Sequence, residues 1–358
     1  MHCGRQKESG TLGASGVGWL SMSTNDGKKR WLVTGAAGFV GSHLVQALVE
    51  QGHQVVGLDN LSSGKWENLE GFLKDIPNGT RKNFVFMCED IRDSRMVEKA
   101  VRGADVILHH AAMASVPQSI ENPLEAHEIN ATGFLNILEA ARANNVKRVV
   151  YASSSAVYGD NQEPVKSEKD VGNLLSPYAV TKLGNELYAD QFHQHYGMET
   201  IGFRYFNIFG LRQDPAGAYA AVIPKWVEAI KGGQPLIVNG DGSTTRDFVH
   251  VSDVVSINIK AGLISANEGQ KAFGQAFNIC GGQEISLKNL IQTLSDLWLE
   301  LKPGVVSPGV EHREFRPGDI HRSCGNAQKA RDLLGYKPTM TLKNGLRELL
   351  LGEGILMP

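Results

Sequence analysis

The sequence predicts an α/β fold, in which a doubly wound parallel sheet is accompanied by a smaller second region. Between Arg30 and Gly210, short β-branched runs alternate with longer stretches of helical periodicity, the pattern of parallel strands joined by crossover helices. The short runs are mostly apolar throughout, as expected for strands that helices cover on both faces. After Gly210 the chain changes to loops rich in Gly, Pro and Asp, which indicates the second region.

Each predicted element follows from a local signal. Helix Pro123–Asn144 carries apolar residues near helical spacing. The next helix begins where Ser176 can cap and Pro177 fits the first helical position, and Gly197 stops it after Tyr196. The predicted strands are Trp31–Val33, Gln54–Leu58, Asn83–Met87, Asp105–His109, Arg148–Tyr151 and Thr200–Arg204, and the other predicted helices are about Gly38–Gln51, Ser286–Leu301, Asn326–Leu334 and Leu342–Leu350.

Composition narrows the possible functions. Lys plus Arg total 36 against 38 Asp plus Glu, a net charge of −2, which argues against a protein that coats nucleic acid or an anionic membrane. No apolar run approaches the ~18 residues of a membrane span, so we expect a soluble, cytoplasmic protein. The four cysteines lack zinc-type spacing, so free thiols and no metal site are expected. Residues 1–30, rich in Gly and Ser, are expected to form a disordered leader.

A glycine-rich turn follows the first predicted strand. In Thr34–Gly41, the glycines Gly35, Gly38 and Gly41 would let backbone amides approach a pyrophosphate at the start of a helix. Asp59 lies 24 residues after Gly35, near the ~20-residue offset of a carboxylate that accepts hydrogen bonds from adenosine ribose. Either feature alone can be a plain turn. Together they predict a dinucleotide site, and the acid favours NAD over NADP because it repels a 2′-phosphate.

A Ser-Tyr-Lys set supplies candidate chemistry. The run Tyr151–Gly159 contains Ser154, and Tyr178 follows 24 residues after that serine, four before Lys182. The four-residue spacing places Tyr178 and Lys182 on one face of a helix. A phenol with a pKa of ~10 is a weak base, but a nearby ammonium and a cationic nicotinamide stabilise its phenolate. A serine can share the substrate's proton. An isolated Tyr and Lys at this spacing are usually an ordinary surface pair. Here the glycine-rich turn, Asp59 and Ser154 precede the pair in order along the chain, so a chance occurrence is a poor explanation.

With these motifs the sequence resembles the extended short-chain dehydrogenase/reductase family, and within it the nucleotide-sugar 4-epimerases. The resemblance runs from Trp31 to Leu350 and is strongest to bacterial UDP-N-acetylglucosamine 4-epimerases of polysaccharide pathways. It implies a Rossmann-type sheet, bound NAD, a UDP-sugar substrate, and a homodimer formed by helices Pro123–Asn144 and Ser176–Tyr196. Neither nucleic acid nor membrane is expected as a partner. Further motifs that carry the likeness are Asp90-Ile91-Arg92, His110-Ala111-Ala112, Arg204-Tyr205-Phe206-Asn207, Arg212-Gln213-Asp214-Pro215 and Ala220–Trp226.

The resemblance implies roles for individual residues. Ser154, Tyr178 and Lys182 form the catalytic set, with Tyr178 as the base and Lys182 bonded to the nicotinamide ribose. The implied cofactor-binding residues are Gly35, Gly38, Phe39, Val40, Gly41, Asp59, Asn60, Asp90, Ile91, Ala111, Ala112, Tyr178, Lys182 and Tyr205. The implied substrate-binding residues are Ser115, Ser154, Ser155, Asn207, Ala221, Val222, Arg246, Arg313 and Ser323.

Two small residues point to the reaction and its substrate. Ala156 stands two residues before Tyr158, where nucleotide-sugar dehydratases and decarboxylases of the family place an acid. A reaction that only oxidises and re-reduces one carbon, through a 4-keto sugar that turns its other face to the cofactor, therefore fits better. Ser323 stands where glucose/galactose-restricted epimerases carry a bulky Tyr against the sugar C2 substituent. This favours interconversion of UDP-GlcNAc and UDP-GalNAc.

Several alternatives stay open. A UDP-glucuronate or UDP-N-acetylglucosaminuronate 4-epimerase would share the catalytic residues, as would a UDP-glucose 4-epimerase. A non-catalytic NAD-binding regulator on the same fold is disfavoured, because such proteins usually lose the Tyr or the Lys. The resemblance also implies that residues 31–209 with about 248–264 bind NAD, and that 210–247 with about 265–358 bind the UDP-sugar.

Overall fold

The computed structural model describes residues 27–216, 220–315 and 321–352. Of the expected leader, residues 1–30, residues 1–26 lie outside the described part of the chain. Its last residue, Arg30, belongs instead to the first strand. The strand begins there because Arg30 pairs with Gln54 of the neighbouring strand and its backbone N–H donates to the Asp105 carboxylate at 2.7 Å.

The strands confirm the predicted fold class. Seven of them form one parallel sheet in the order β11-β6-β5-β4-β1-β2-β3, and the ends of the six predicted strands shift by no more than three residues. The strands are β1 (Arg30–Thr34), β2 (Gln54–Leu58), β3 (Phe84–Met87), β4 (Val106–His109), β5 (Arg148–Ser154), β6 (Glu199–Tyr205), β7 (Asn207–Phe209), β8 (Leu236–Asn239), β9 (Thr245–Arg246), β10 (Phe248–His250), β11 (Gln275–Ile279), β12 (Ile285–Ser286) and β13 (Val310–Arg313).

Strand β11 departs from the expected domain division, which put every residue after about 265 in the substrate-binding part. It pairs in parallel with Ile201–Tyr205 of β6. This pairing satisfies backbone groups that would otherwise be left at the sheet edge. The central sheet therefore takes residues from far along the chain.

The helices also follow the predicted order, with one interruption. The expected helix Pro123–Asn144 is divided by a π-helical turn, Glu128–Thr132, and a 3₁₀ turn, Ser155–Tyr158, follows β5. The α-helices are α1 (Phe39–Glu50), α2 (Glu67–Asp75), α3 (Asn78–Arg81), α4 (Ser94–Val101), α5 (Val116–Glu121), α6 (Pro123–His127), α7 (Gly133–Ala143), α8 (Pro177–Tyr196), α9 (Val222–Lys231), α10 (Val251–Leu263), α11 (Ala266–Gly269), α12 (Leu287–Leu301), α13 (Gln328–Leu334) and α14 (Leu342–Gly352).

Helix α8 begins and ends as its sequence predicts. The Ser176 hydroxyl accepts a hydrogen bond from the Ala179 N–H at 3.2 Å, and Pro177 occupies the first helical position. Gly197 ends the helix in the left-handed region, at φ 63°, where a glycine has no Cβ to cause strain. The length and direction of this helix determine where its side chains meet the sheet.

Apolar side chains cover both faces of the central sheet. Successive residues of a strand point to opposite faces, so Trp31 and Val33 belong to one buried cluster while Leu32 belongs to another. A third cluster lies in the smaller region and includes Trp226 of α9 and Leu290 of α12. Short strand pairs complete that region: β7 with β10, β8 with β13, and β9 with β12.

Two observations bear on the composition-based expectations. In the part of the chain that the structure describes, no helix is long and apolar enough to cross a membrane. Cys280 and Cys324 are buried free thiols, whereas Cys88 is disulfide-bonded. The expectation of a free thiol is therefore wrong at Cys88.

Candidate active site

The glycine turn after β1 forms a tight cradle. Gly35 has φ 68°, and a Cβ added there would lie 2.8 Å from the backbone nitrogen of Ala111. A Cβ at Gly41 would collide with the carbonyl of Gly35. Gly38 caps α1 without a side-chain hydrogen bond, and the first turn carries no acid. Phe39 and Val40 begin the helix. A close backbone and an uncapped helix N-terminus fit the pyrophosphate of a dinucleotide.

Asp59 holds this cradle against the second strand. Its buried carboxylate accepts hydrogen bonds from the N–H groups of Ala37, at 2.9 Å, and Leu61, at 2.8 Å. Burial raises the pKa of Asp59, and the backbone hydrogen bonds oppose that rise. A carboxylate has about four acceptor positions, so two backbone bonds leave capacity for a ribose hydroxyl. Asp59 thus has a loop-anchoring contact that its sequence position alone did not predict.

Beside Asp59, a small polar cluster follows β3. Asn60 donates to the Asp90 carboxylate at 2.9 Å, and Arg92 donates to both of its oxygens, at 3.0 and 2.8 Å. Burial alone would raise the pKa of Asp90, but the hydrogen bonds from Arg92 and Asn60 outweigh it and lower the pKa to about 2. Ile91 is buried, and a Cβ at Gly133 would lie 2.5 Å from its Cδ1. The Asp90 carboxylate and the apolar residue Ile91 therefore lie next to each other at this end of the cradle.

The loop after β4 is fixed to β1 and β6. The N–H groups of His110 and Ala111 both donate to the Thr34 hydroxyl at 3.2 Å, and Ala112 follows. Tyr205, at the end of β6, accepts a hydrogen bond from Asn258 at 2.7 Å and lies 3.1 Å from His110 Nε2. These bonds connect the carboxyl ends of β1, β4 and β6, and ligands of doubly wound folds bind at this edge of the sheet.

The structure brings Ser154, Tyr178 and Lys182 together. Ser154 ends β5 and hydrogen-bonds with the Tyr178 hydroxyl. Lys182 lies one turn further along α8, with its ammonium 5.8 Å from the centre of the Tyr178 ring, and donates to the carbonyl of Ala152 at 2.8 Å. Tyr178 and Lys182 are buried, and Ser154 is partly exposed. The three groups form one site at the carboxyl end of the sheet.

The pKa shifts in this site differ from the simplest expectation. The sequence argument expected the neighbouring ammonium to lower the pKa of Tyr178. Burial instead raises it, and the hydrogen bond from Ser154 is the opposing influence. Burial also lowers the pKa of Lys182 to about 8. The protein alone therefore holds a neutral phenol beside an ammonium that titrates within a moderately alkaline range.

Sequence reasoning missed a buried polar network directly beneath these residues. Glu186 lies one turn after Lys182 on the same face of α8 and accepts a hydrogen bond from Ser153 at 2.5 Å. It also forms a two-point ion pair with Arg204 at 2.9 and 2.7 Å. Arg204 continues the network to the Tyr158 hydroxyl at 3.1 Å. Repetition of the four-residue spacing from Tyr178 through Lys182 to Glu186 was the signal that could have found it.

Asn130 is a second buried residue that the sequence did not single out. It lies in the π-helical turn, where its side chain bonds to the backbone of Met113 at 2.8 and 3.1 Å and to the Thr181 hydroxyl at 3.1 Å. Its backbone carbonyl accepts a hydrogen bond from Asn185 at 3.0 Å. The widened turn thus connects the loop after β4 to α8. An asparagine inside an otherwise apolar helix was the available signal.

The expected substrate-binding residues come from several distant segments. Asn207 donates through its backbone N–H and its side chain to the carbonyl of Asp247, both at 3.0 Å. Arg246 is partly buried in β9. Ser323 is also partly buried, and the buried Cys324 follows it. The others are Ser115, which caps α5, Ser155, which opens the 3₁₀ turn, Ala221, which is exposed before α9, and Val222, which begins α9.

Arg313, the other arginine expected to bind the substrate, forms an ion pair of its own. It lies in the exposed strand β13, and its guanidinium pairs with Glu311 at 2.8 Å. Residues two apart in a strand point to the same face, so the side chains of Glu311 and Arg313 lie next to each other. Arg316 belongs to the same sequence run but, with Pro317-Gly318-Asp319, lies outside the described residues.

Comparisons with known proteins agree with the class of protein that the sheet, the cradle and the Ser-Tyr-Lys site define, a nucleotide-sugar enzyme that uses a dinucleotide. The chain belongs to the GDP-mannose 4,6 dehydratase family, whose model matches residues 32–349. It is 37% identical to the UDP-glucose 4-epimerase of Mycolicibacterium smegmatis over 322 residues, which cover 88% of this chain and 96% of the relative.

Two solved structures are similar over most of the chain. One is a UDP-N-acetylglucosamine 4-epimerase from Methanobrevibacter ruminantium in complex with UDP-N-acetylmuramic acid, with 36% identity, a TM-score of 0.81, and coverage of 90% of this chain and 97% of that one. The other is a UDP-glucose 4-epimerase from Thermus thermophilus in complex with NAD, with 33% identity, a TM-score of 0.76, and coverage of 90% and 97%. The predicted class is confirmed: the chain is an NAD-dependent isomerase that acts as a nucleotide-sugar 4-epimerase.

Proposed function

We propose that this enzyme interconverts UDP-GlcNAc and UDP-GalNAc. The observation that carries the proposal is Ser323, a small, partly buried side chain directly before the buried residues Cys324 and Gly325. A small residue at the sugar C2 position leaves room for an N-acetyl group, where a bulky ring would exclude it. The similarity to a UDP-N-acetylglucosamine 4-epimerase at 36% identity supports the same choice.

In the proposed mechanism, Tyr178 carries the proton of the sugar 4-hydroxyl. As a phenolate it accepts that proton while Ser154 hydrogen-bonds to the same hydroxyl, and it returns the proton when the 4-keto sugar is reduced on its other face. Lys182 stabilises the phenolate by its charge and would hydrogen-bond to the nicotinamide ribose. Bound NAD supplies the hydride acceptor and donor at C4. Gly35, Gly38, Gly41, Asp59, Asp90 and Tyr205 hold and orient the dinucleotide.

Substrate binding requires a firm hold on UDP and a loose hold on the hexose, because the sugar must turn over within the site. We assign the diphosphate to Arg246, since guanidinium groups bind phosphate oxygens by paired, charge-assisted hydrogen bonds. Asn207 is assigned to the pyrophosphate or sugar, and Ala221 and Val222 to the uracil. Ser115 and Ser155 are assigned to the hexose. Arg313 is assigned to the diphosphate as well, and its exposed guanidinium also pairs with Glu311 at 2.8 Å.

The test is a direct comparison of two conversions by the purified enzyme. We expect turnover of UDP-GlcNAc to exceed that of UDP-glucose, with products identified by their C4 configuration. A clear preference for UDP-glucose would favour the alternative suggested by the Mycolicibacterium relative. A preference for UDP-glucuronate or UDP-N-acetylglucosaminuronate would instead require a cation facing the sugar C6 carboxylate.

A homodimer forms the second part of the proposal. Large apolar side chains remain exposed on one face of α8, where Val180, Leu187 and Tyr188 are 55%, 62% and 45% exposed, and on the adjoining α6, where Leu124 is 80% exposed. Their spacing on α8 places them on one stripe, which a second copy of the chain could cover as a four-helix bundle.

Light scattering during size-exclusion chromatography tests the dimer. Leu187→Glu should convert the dimer to a monomer, because it puts a charge in the middle of the apolar stripe. Leu263→Glu is the matched control, since Leu263 is 41% exposed at the end of α10, away from this face. A wild-type monomer, or equal effects of both substitutions, would contradict this assignment.

A further inference from the structure

The substrate side of the site, which includes Asn207, Arg246 and Ser323, surrounds one buried acid, Asp247. This residue has no role in the proposed mechanism. Its side chain is fully buried, and in the chain it stands between Arg246 and the first residue of the short strand β10. Its own backbone carbonyl receives both hydrogen bonds from Asn207, at 3.0 Å. Asp247 therefore adjoins two residues assigned to the substrate, one by covalent connection and one by hydrogen bonds.

The carboxylate of Asp247 binds two further segments of the chain. Oδ1 accepts from the Gly281 N–H at 2.7 Å, and Oδ2 accepts from the Gly282 N–H at 3.1 Å. Oδ2 also accepts from the Gly325 N–H at 3.1 Å and from the Cys324 thiol at 3.7 Å. These donors are backbone groups and a thiol, so what the carboxylate provides is a fixed geometry for two loops. Hydrogen bonds to a buried charged group are among the stronger ones in proteins.

The glycines around Asp247 allow this close approach. A Cβ at Gly281 would lie 3.2 Å from Oδ1 of Asp247 and 2.5 Å from the carbonyl oxygen of Phe248. A Cβ at Gly325 would lie 2.8 Å from the sulfur of Cys280. Side chains at these two positions would push the loops away from the carboxylate. The sequence therefore places glycine where a backbone N–H must reach the acid.

We propose that Asp247 is the positioning residue of the substrate side, whose carboxylate fixes the Ser323–Gly325 segment and the Gly281–Gly282 turn relative to Arg246 and Asn207. This inference rests on the proposed function, because the roles of Arg246, Asn207 and Ser323 come from it. Asp247 acts through these residues and leaves proton transfer to Tyr178. Its loss should therefore affect substrate binding and substrate choice more than the chemical step.

Asp247→Asn tests the inference with little change of volume. In either orientation, the NH2 group of the asparagine faces at least one backbone N–H that donates to the carboxylate in the wild type. That hydrogen bond is lost, because both groups are donors. We expect the KM for UDP-GlcNAc to rise by about tenfold or more, the preference for UDP-GlcNAc over UDP-glucose to narrow, and kcat to change less than KM. The NAD bound per chain, measured after denaturation, should equal that of the wild type. An unchanged KM and preference, or loss of NAD with KM unchanged, would overturn the proposal.

Asp253→Asn is the matched control. Asp253 is also buried in the same stretch of sequence, and its carboxylate accepts hydrogen bonds from Thr339 at 2.8 Å and from the Met340 N–H at 3.2 Å. Its substitution removes comparable bonds from a carboxylate that does not bind the substrate-side segments. We expect a loss of stability with KM unchanged. A similar rise in KM in both variants would show general loosening and would count against a specific role for Asp247.

Hydrogen exchange on the wild-type enzyme gives a second test, which does not depend on the variant folding. With UDP alone as the probe, exchange should slow in peptides that contain Gly281–Gly282 and Cys324–Gly325, and stay unchanged in the peptide that contains Thr339 and Met340. Absence of protection in the first two peptides would refute the inference. Because this readout is binding, it can fail while Tyr178 remains essential for turnover, and it can succeed even when the enzyme prefers another UDP-sugar.

Discussion

The chemical side and the substrate side of this site are built in different ways. Ser154, Tyr178 and Lys182 lie on a long strand and a long helix, over a buried network that includes Glu186 and Arg204. On the substrate side, Asp247 joins short segments from four parts of the chain, which contain Asn207, Arg246, Gly281–Gly282 and Cys324–Gly325. Regular elements fix the proposed reacting groups, whereas the proposed specificity residue Ser323 depends on a loop that is held by one carboxylate.

This difference indicates how the enzyme could change its substrate without changing its reaction. Substitutions in the loops would alter which sugar fits and leave the proton-transferring groups in place. Substitutions in the network under α8 would alter the chemistry for every sugar alike. Each of the following variants should therefore affect one side of the site and spare the other.

Tyr178→Phe should have the largest effect, because it removes the hydroxyl that carries the proton. We expect kcat to fall by about 10³-fold or more for both UDP-GlcNAc and UDP-glucose, while bound NAD is retained. Steady-state turnover and NAD content measure this. Tyr196→Phe, at the exposed end of the same helix, should have no effect. Undiminished turnover by Tyr178→Phe would refute the mechanism.

Glu186→Gln should affect the chemical side indirectly, through the buried network that Glu186 forms with Ser153 and Arg204. The substitution leaves Arg204 buried without its carboxylate partner, which we expect to cost about 3 kcal/mol of the free energy of unfolding. It should also lower kcat by about tenfold for both sugars, since it loosens α8 against β5. Urea unfolding and turnover are the measurements.

The control for Glu186 is the ion pair at the opposite end of the same two strands. Glu199 pairs with the buried Arg148 at 2.5 Å, where β5 and β6 begin. Glu199→Gln should lower stability in the same way but leave kcat unchanged. If both variants lose kcat in proportion to their stability, the network under α8 has no special relation to the catalytic groups.

Replacing Lys182 should remove a pH dependence as well as activity. The pKa of about 8 means that the ammonium is charged below that pH and neutral above it. The wild-type kcat/KM should therefore fall as pH rises through about 8. Lys182→Met should lower kcat by about a hundredfold and abolish this fall. A wild-type profile that is flat from neutral to alkaline pH would contradict the role of the charge.

Lys329→Met is the control for that pH profile. Lys329 is likewise partly buried, donates to a strand carbonyl, that of Ala276, at 2.9 Å, and lies over the ring of Phe277. Burial also lowers its pKa. Because it lies away from Tyr178, its replacement should leave the alkaline fall of kcat/KM in place. Loss of the fall in this variant would assign the titration to a different group.

The two sides also differ in how far the sequence could predict them. The parallel sheet, the glycine cradle and the pair Tyr178 and Lys182 follow from patterns local in the chain. The seventh strand was missed because its pairing with β6 joins residues more than seventy positions apart, and no local pattern encodes such a partner. The π-helical turn was missed because apolar spacing does not show a single widened turn.

The substrate side was predicted only by resemblance. Arg246 and Arg313 were chosen for their charge, and the sequence did not show that Arg313 pairs with Glu311. Asp247 was not singled out, because a buried acid cannot be told from a surface acid in the sequence alone. Its importance depends on Gly281 and Gly325, which lie 34 and 78 residues away.

Ser323→Tyr should have the smallest effect on the reaction as a whole. It should also separate the substrate side from the chemical side most clearly, because it changes only which sugar fits. A ring at this position would occupy the space proposed for the N-acetyl group, so kcat/KM for UDP-GlcNAc should fall by about tenfold or more. The value for UDP-glucose should change little, because that sugar carries only a hydroxyl at C2. Ser323→Ala keeps the space and should keep the preference for the acetylated sugar. Equal losses on both sugars in the tyrosine variant would mean that the ring disturbs the Cys324–Gly325 anchor instead of filling the C2 pocket, and the specificity of this enzyme would then have to come from another loop.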